Sequence, residues 1–217
     1  MKNDLKFTDF LKDVFSSFDK KVETSGLVSI CVEIPFIDLF QVYELFINKY
    51  PFSSFLEESD GISYIALEKF KYVTLDGPKR FEVANEFNSE NFKNLINLTN
   101  ETDKSALSKI IYLFSFSENL NNNLSSDVPS MEAILPKILI IKSDKNCWLR
   151  INGHVEGKSS LRTLIEEIWT IKNQVINSGS ELIKVSDLKT SFDSPIIDDF
   201  LNSLENSNVN LKKVVNR

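Results

Sequence analysis

The chain has 217 residues, of which 42% are hydrophobic and 26% charged, a globular balance that excludes a disordered or fibrous protein. At this length roughly 70% of the unfolded surface can be buried, so the core needs neither disulfide nor metal. The 25 Lys and Arg stand against 31 Asp and Glu, and the resulting net charge of −6 argues against a nucleic-acid partner.

Phe7, Phe10, Leu11, Val14, Phe15 and Phe18 recur at helical spacing and predict an amphipathic first helix. Val28, Ile30, Val32 and Ile34 alternate with polar residues, so Leu27 to Ile34 reads as a strand. After Pro35, residues Phe36 to Tyr50 predict a helix that is apolar almost all round and therefore well covered. Ser53 to Glu57, Ile62 to Leu67 and Phe70 to Leu75 are short strand-like runs, punctuated by Asp60-Gly61 and Asp76-Gly77. Gly77-Pro78 opens a helix with proline at its first position. That helix breaks at Asn88-Ser89, and a second piece carries Phe92, Leu95 and Ile96.

Lys109 to Phe116 is a further strand, and Ser117 to Ser130 a polar, Asn-rich loop. Met131 to Lys142 and Cys147 to Asn152 read as a hairpin. Leu161, Leu164, Ile165, Ile168, Ile171 and Val175 mark a long amphipathic helix, with Gly179 placed as its C-terminal cap. Ser194-Pro195 starts a last helix, and Leu211 to Arg217 turns strand-like. Strands arriving in hairpins and meanders between helices predict an α+β fold with mainly antiparallel sheet and helices packed outside.

Few residues offer self-contained chemistry. Cys31 and Cys147 form no CxxC pair and read as buried thiols in a reducing compartment. His154 is the single histidine, which excludes any site needing two imidazoles. Gly153-His154-Val155-Glu156-Gly157-Lys158-Ser159 imitates a P-loop, but it has three residues between its glycines where a phosphate cradle needs four. It reads as a strand-to-helix turn with Ser159 or Ser160 as cap. Glu57-Glu58, Glu166-Glu167 and Asp198-Asp199 are adjacent carboxylates. Glu166 and Glu167, as helix neighbours, point about 100° apart and cannot easily share a metal. Asp198-Asp199 suits the first turn of a helix, and Glu57-Glu58 ends a strand, so all three pairs read as solvated. The mixed charges of Met1-Lys2-Asn3-Asp4 are no signal peptide, and the apolar run Ala133 to Ile141 is too short to span a bilayer. A cytoplasmic protein with no membrane partner is the expectation.

The order of segments resembles a known family. Phe52-Ser53-Ser54-Phe55-Leu56-Glu57-Glu58 followed by Gly61-Ile62-Ser63-Tyr64-Ile65-Ala66 resembles its aromatic strand, acidic residue and following strand. Gly77-Pro78-Lys79-Arg80-Phe81 resembles the glycine and Arg-Phe that open the next helix. Tyr112 to Phe116, the polar loop, Pro129 to Lys137 and Cys147-Trp148-Leu149 follow in the family's order, although Leu113 and Ser115 replace its usual Phe-Gly landmarks. The chain is similar to the amino-terminal half of isochorismate synthase, within the chorismate-utilising enzymes that include anthranilate synthase.

That resemblance implies one half of a two-sheet fold, with residues 1–209 as an amino-terminal scaffold and 210–217 as the start of a strand leading into a catalytic half. The complete enzyme would bind chorismate and Mg²⁺ and make isochorismate for menaquinone or phylloquinone synthesis. Leu211-Lys212-Lys213-Val214-Val215-Asn216-Arg217 resembles the family's strand bearing the lysine base, which places that role on Lys213, although Asn216 and Arg217 depart from the pattern. The family's magnesium carboxylates and general acid have no counterpart in the sequence, so this segment is expected to bind no Mg²⁺ and to be inactive alone. The alternative expectation is a stand-alone, non-catalytic α+β domain that binds a protein or metabolite.

Overall fold

The computed structural model describes residues 5–22, 24–58, 61–99, 103–116, 129–144 and 146–186. The chain divides into two compact units, Met1–Glu181 and Leu182–Arg217, and the architecture below is that of the first, whose last helix continues past Glu181 to Ser186. Its elements are α1 (Leu5–Lys21), β1 (Ser25–Ile34), α2 (Leu39–Phe46), β2 (Ser53–Glu57), β3 (Ser63–Leu75), α3 (Arg80–Asn94) and β4 (Leu95–Asn97). A single 3-10 turn (Lys104–Ala106), β5 (Ile111–Phe114), β6 (Met131–Lys142), β7 (Cys147–Glu156) and α4 (Lys158–Ser186) complete them.

The fold is α+β, as the alternation of hairpins and helices predicts. The strands form one sheet in the order β2-β3-β6-β7-β1-β4, with β5 paired to β6 off that path. Described ladders are antiparallel except β1 with β4, where Leu27 faces Leu95. β6 organises the sheet. β3 runs along one of its edges, whereas the other edge is divided: Met131 to Ile134 pair with β5 and Ile138 to Lys142 with β7. Leu135, Pro136 and Lys137 lie at the division, and Pro136 has no N–H to offer a ladder.

One face of the sheet packs against helices. Val28, Ile30, Ile138, Ile140, Leu149 and Ile151 meet Val14 and Phe18 of α1 and Leu161, Ile165 and Ile168 of α4. Each fully buried aliphatic side chain of this kind contributes about 1.5–3 kcal/mol. On the other face Cys31, Tyr64, Ala66, Leu139, Ile141 and Trp148 form a second cluster with Ala106. The two cysteines are buried on opposite faces, as unbridged thiols.

Several local expectations are corrected. The second helix covers only Leu39–Phe46, because the Asp38 carboxylate accepts from Phe40 N at 2.9 Å and caps it there. Phe36 and Phe40 are 59% and 61% exposed, so this region is not covered all round. The runs Ile62–Leu67 and Phe70–Leu75 are one strand, β3, broken by a bulge between Lys69 and Lys71 beside Glu68 at φ 59°. α3 starts at Arg80, after the turn at Gly77, and passes unbroken through Asn88-Ser89. Leu95–Asn97 is a strand because pairing with β1 outweighs its helical spacing. α4 continues through Gly179 to Ser186, where a cap was expected. The expected helix from Ser194, Asp198-Asp199, most of the loop Ser117 to Ser130 and the tail Leu211 to Arg217 lie outside the described residues.

Candidate functional site

Where β6 turns from β7 to β5, the second sheet face holds a buried polar network. Asn152 is at its centre. Its Nδ2 donates to the Pro136 carbonyl at 2.8 Å, filling the gap in the divided edge. Its Oδ1 accepts from Ser29 Oγ at 2.7 Å and from Ser108 Oγ at 2.8 Å. Two residues along β7, Arg150 donates from Nη1 to Ser29 Oγ (2.6 Å) and Asn97 Oδ1 (2.9 Å), and from Nε to the Ala106 carbonyl (2.6 Å). Ser29, Arg150 and Asn152 are wholly buried. Five segments thereby meet: β1, the end of β4, the turn after it, β6 at Pro136, and β7. Buried polar groups of this kind are stable only when they are hydrogen-bonded, which fixes the segments relative to one another.

A second polar junction lies at the start of β6. Ser130 N donates to Asp76 Oδ1 at 2.6 Å, Ser130 Oγ to the Leu75 carbonyl at 3.0 Å, and Gly77 N to Ser130 Oγ at 3.3 Å. Ser115 N donates to the Ser130 carbonyl at 2.9 Å, and buried Arg80 donates from Nη1 to the Ser115 carbonyl at 3.2 Å. Phe81 stacks on Phe114 with ring centroids 4.8 Å apart. Three motif segments from distant parts of the sequence, Gly77 to Phe81, Tyr112 to Phe116 and Pro129 to Lys137, therefore converge on one corner.

The residues weighed for chemistry stand apart from both clusters. Lys213 lies outside the described residues. His154 is surface-exposed, with Nδ1 4.0 Å from Glu156 Oε1. Lys158 of the P-loop-like segment pairs with Asp19 at 2.9 Å, and Ser160, not Ser159, reaches back to accept from Glu156 N at 2.7 Å. Glu166 pairs with Arg162 at 2.9 Å on α4, while Glu167 turns to Lys137 on β6 at 2.8 Å, so this adjacent pair does separate. Glu57 and Glu58 are exposed. Among the described residues no group of three or more His, Cys, Asp or Glu converges as a metal site would require. No described helix is long and apolar enough to cross a membrane.

Electrostatics point the same way. A lysine acts as base near neutral pH only when its pKa is lowered. Burial does pull Lys137 down, but the hydrogen bond and charge of Glu167, with those of Glu68, outweigh it and raise the pKa above the ordinary 10.5. Lys137 is therefore held as an ammonium. Burial also pushes the Cys147 thiol up, which disfavours a thiolate nucleophile. The described site is suited to positioning and hydrogen bonding.

The network residues are not singled out by sequence motifs. Their signal is the period-2 run Leu149-Arg150-Ile151-Asn152, whose polar members read as solvent-facing until the second face is known to be covered.

The chain belongs to the chorismate binding enzyme family, whose model matches residues 9–214. Among solved structures it is similar to MenF, the menaquinone-specific isochorismate synthase from Escherichia coli, with 14% identity and a TM-score of 0.41. That alignment covers 77% of this chain and 33% of the other, so the chain spans about a third of MenF's length. No curated protein sequence matches it.

Proposed function

We propose that the chain is the amino-terminal scaffold of an isochorismate synthase, a cytoplasmic enzyme that converts chorismate to isochorismate with Mg²⁺ in quinone synthesis. The observation that carries this reading is the family match over residues 9–214, which takes in the motif segments meeting around Arg80, Ser115 and Ser130. In this reading the polar networks hold the sheet in register, and Lys213 serves as the base that activates water in the complete enzyme. Mg²⁺ prefers converging carboxylate oxygens. The described residues do not supply that donor set, so they are assigned no part in metal binding.

The test incubates the purified chain with chorismate and Mg²⁺, alone and mixed with the carboxy-terminal half of a related isochorismate synthase, and resolves products by chromatography. No isochorismate is expected from the chain alone, and isochorismate is expected from the mixture. Turnover by the chain alone would overturn the scaffold role. A different chorismate product from the mixture would move the chain to a sibling enzyme.

A further inference from the structure

We propose that the groove between α3 and the bulged part of β3 binds a neutral, planar aromatic ligand carrying hydrogen-bond donors of the primary-amide type. The proposal does not rest on the isochorismate synthase reading. The groove has a volume of about 450 Å³, within the range of small-molecule sites. Phe70 and Tyr72 line it from β3 and Phe87 from α3, offering aromatic surface to a flat ring. Tyr72 is 59% exposed, so its ring is accessible. The bulge between Lys69 and Lys71 re-aims this part of β3, a role bulges often play beside binding sites.

Asn91 carries the inference. It is 6% exposed and continues the stripe Ala84, Phe87, Asn91, where a core-facing helix ordinarily places an aliphatic residue. Its Nδ2 donates to the Phe87 carbonyl at 2.7 Å. Only the amide nitrogen can donate to a carbonyl, so this bond fixes which way the side chain points. Asn91 lines the groove, and its Oδ1 has no hydrogen-bond partner among the described residues. Asn94 repeats the arrangement one turn later, its Nδ2 donating to the Glu90 carbonyl at 2.8 Å and its Oδ1 left as an acceptor. Two acceptors beside aromatic rings suit a ring whose edge carries N–H groups. Lys71 and Glu90 also line the groove, and their opposite charges favour a ligand with no net charge.

Saturation-transfer NMR on the full chain would compare benzamide with N,N-dimethylbenzamide, which keeps the ring and carbonyl but lacks both N–H donors. Benzamide is expected to bind saturably and the dimethyl compound about tenfold more weakly, the cost of one to two hydrogen bonds. Asn91→Leu keeps bulk on the helix face and is expected to bring the two affinities within about twofold by weakening benzamide. A melting temperature at or above that of the wild type would verify its fold. If Asn91→Leu does not fold, Asn94→Ala, at an exposed position, must narrow the gap. Absence of saturable benzamide binding, equal affinities in the wild type, or an unchanged gap in the folded variant would each overturn the proposal.

Discussion

Lys137 on β6 ties the sheet to α4: its Nζ lies 2.8 Å from Glu167 Oε1, and Glu68 Oε2 stands 3.5 Å away on β3. Because the folded state raises the Lys137 pKa above 10.5, it holds that proton more tightly than the unfolded chain does. The stabilisation is therefore complete below pH 10.5 and lost as pH rises through the folded value. Tyr50 acts with the same sign, since burial first, then Glu167 and Glu68, raise its pKa from 10.0. Lys137→Met should cost about 1 kcal/mol at neutral pH and make the alkaline loss of stability shallower. A pH series of urea midpoints, with Tyr50→Phe as control for the phenol, checks this. An unchanged alkaline slope in Lys137→Met would refute it.

Asn152→Ala should destabilise by about 1–3 kcal/mol, because it removes the acceptor that the Ser29 and Ser108 hydroxyls share, leaving them each other at 3.1 Å, and takes the amide donor from the Pro136 carbonyl in a buried site. Urea unfolding would measure it. A loss below about 0.5 kcal/mol would mean that these groups find other partners.

Gly153 faces α4 so closely that a Cβ there would lie 2.9 Å from both terminal methyl carbons of Leu164. Gly153→Ala should cost about 1–2 kcal/mol by overpacking, and Leu164→Ala about 2–4 kcal/mol by leaving a cavity. The double variant should be more stable than the sum predicts, since the added methyl enters the vacated space. Strict additivity in thermal melts would show that the strain lies elsewhere.

Within the proposed enzyme, Lys213→Ala should abolish isochorismate formation while leaving the melting temperature within about 2 °C of the wild type. Lys212→Ala should be mild, because in the strand that the family resemblance implies, successive residues would point to opposite faces. Equal residual activity in the two variants would remove the base from Lys213.

Elements whose burial follows from their own periodicity were legible in the sequence. The α1 stripe from Phe7 to Phe18, the alternation of β1 and the apolar seam of α4 all appear where their spacing predicts. Context decided the rest. Leu95 and Ile96 suit a helix by spacing, but β1 offers them an open edge. Phe36 and Phe40 look like core by residue type, yet Asp38 caps α2 after Phe36, and within α2 it is Leu39, Val42 and Phe46 that face the core while Phe40 does not. Arg150 and Asn152 are polar on a strand and so read as surface; the chain from Asn97 through Ala106 to Ser108 supplies partners that make them interior. The three motif segments were recognisable one by one, but their meeting at Ser130 depends on the pairing of β5 with β6, which the sequence does not announce.

The pairing of β1 with β7 governs the order in which this protein can be made. Ser25 faces Glu156 and Ile34 faces Cys147, so β1 leaves the ribosome more than a hundred residues before its antiparallel partner exists. At about 5–20 residues per second that is a wait of roughly 6–25 s. Meanwhile the apolar run Leu27 to Ile34 has only β4, three residues long, to cover one edge. During synthesis β1 therefore waits with an unpaired edge, and slowing translation just before Cys147 should lower the soluble yield more than slowing it after Glu156.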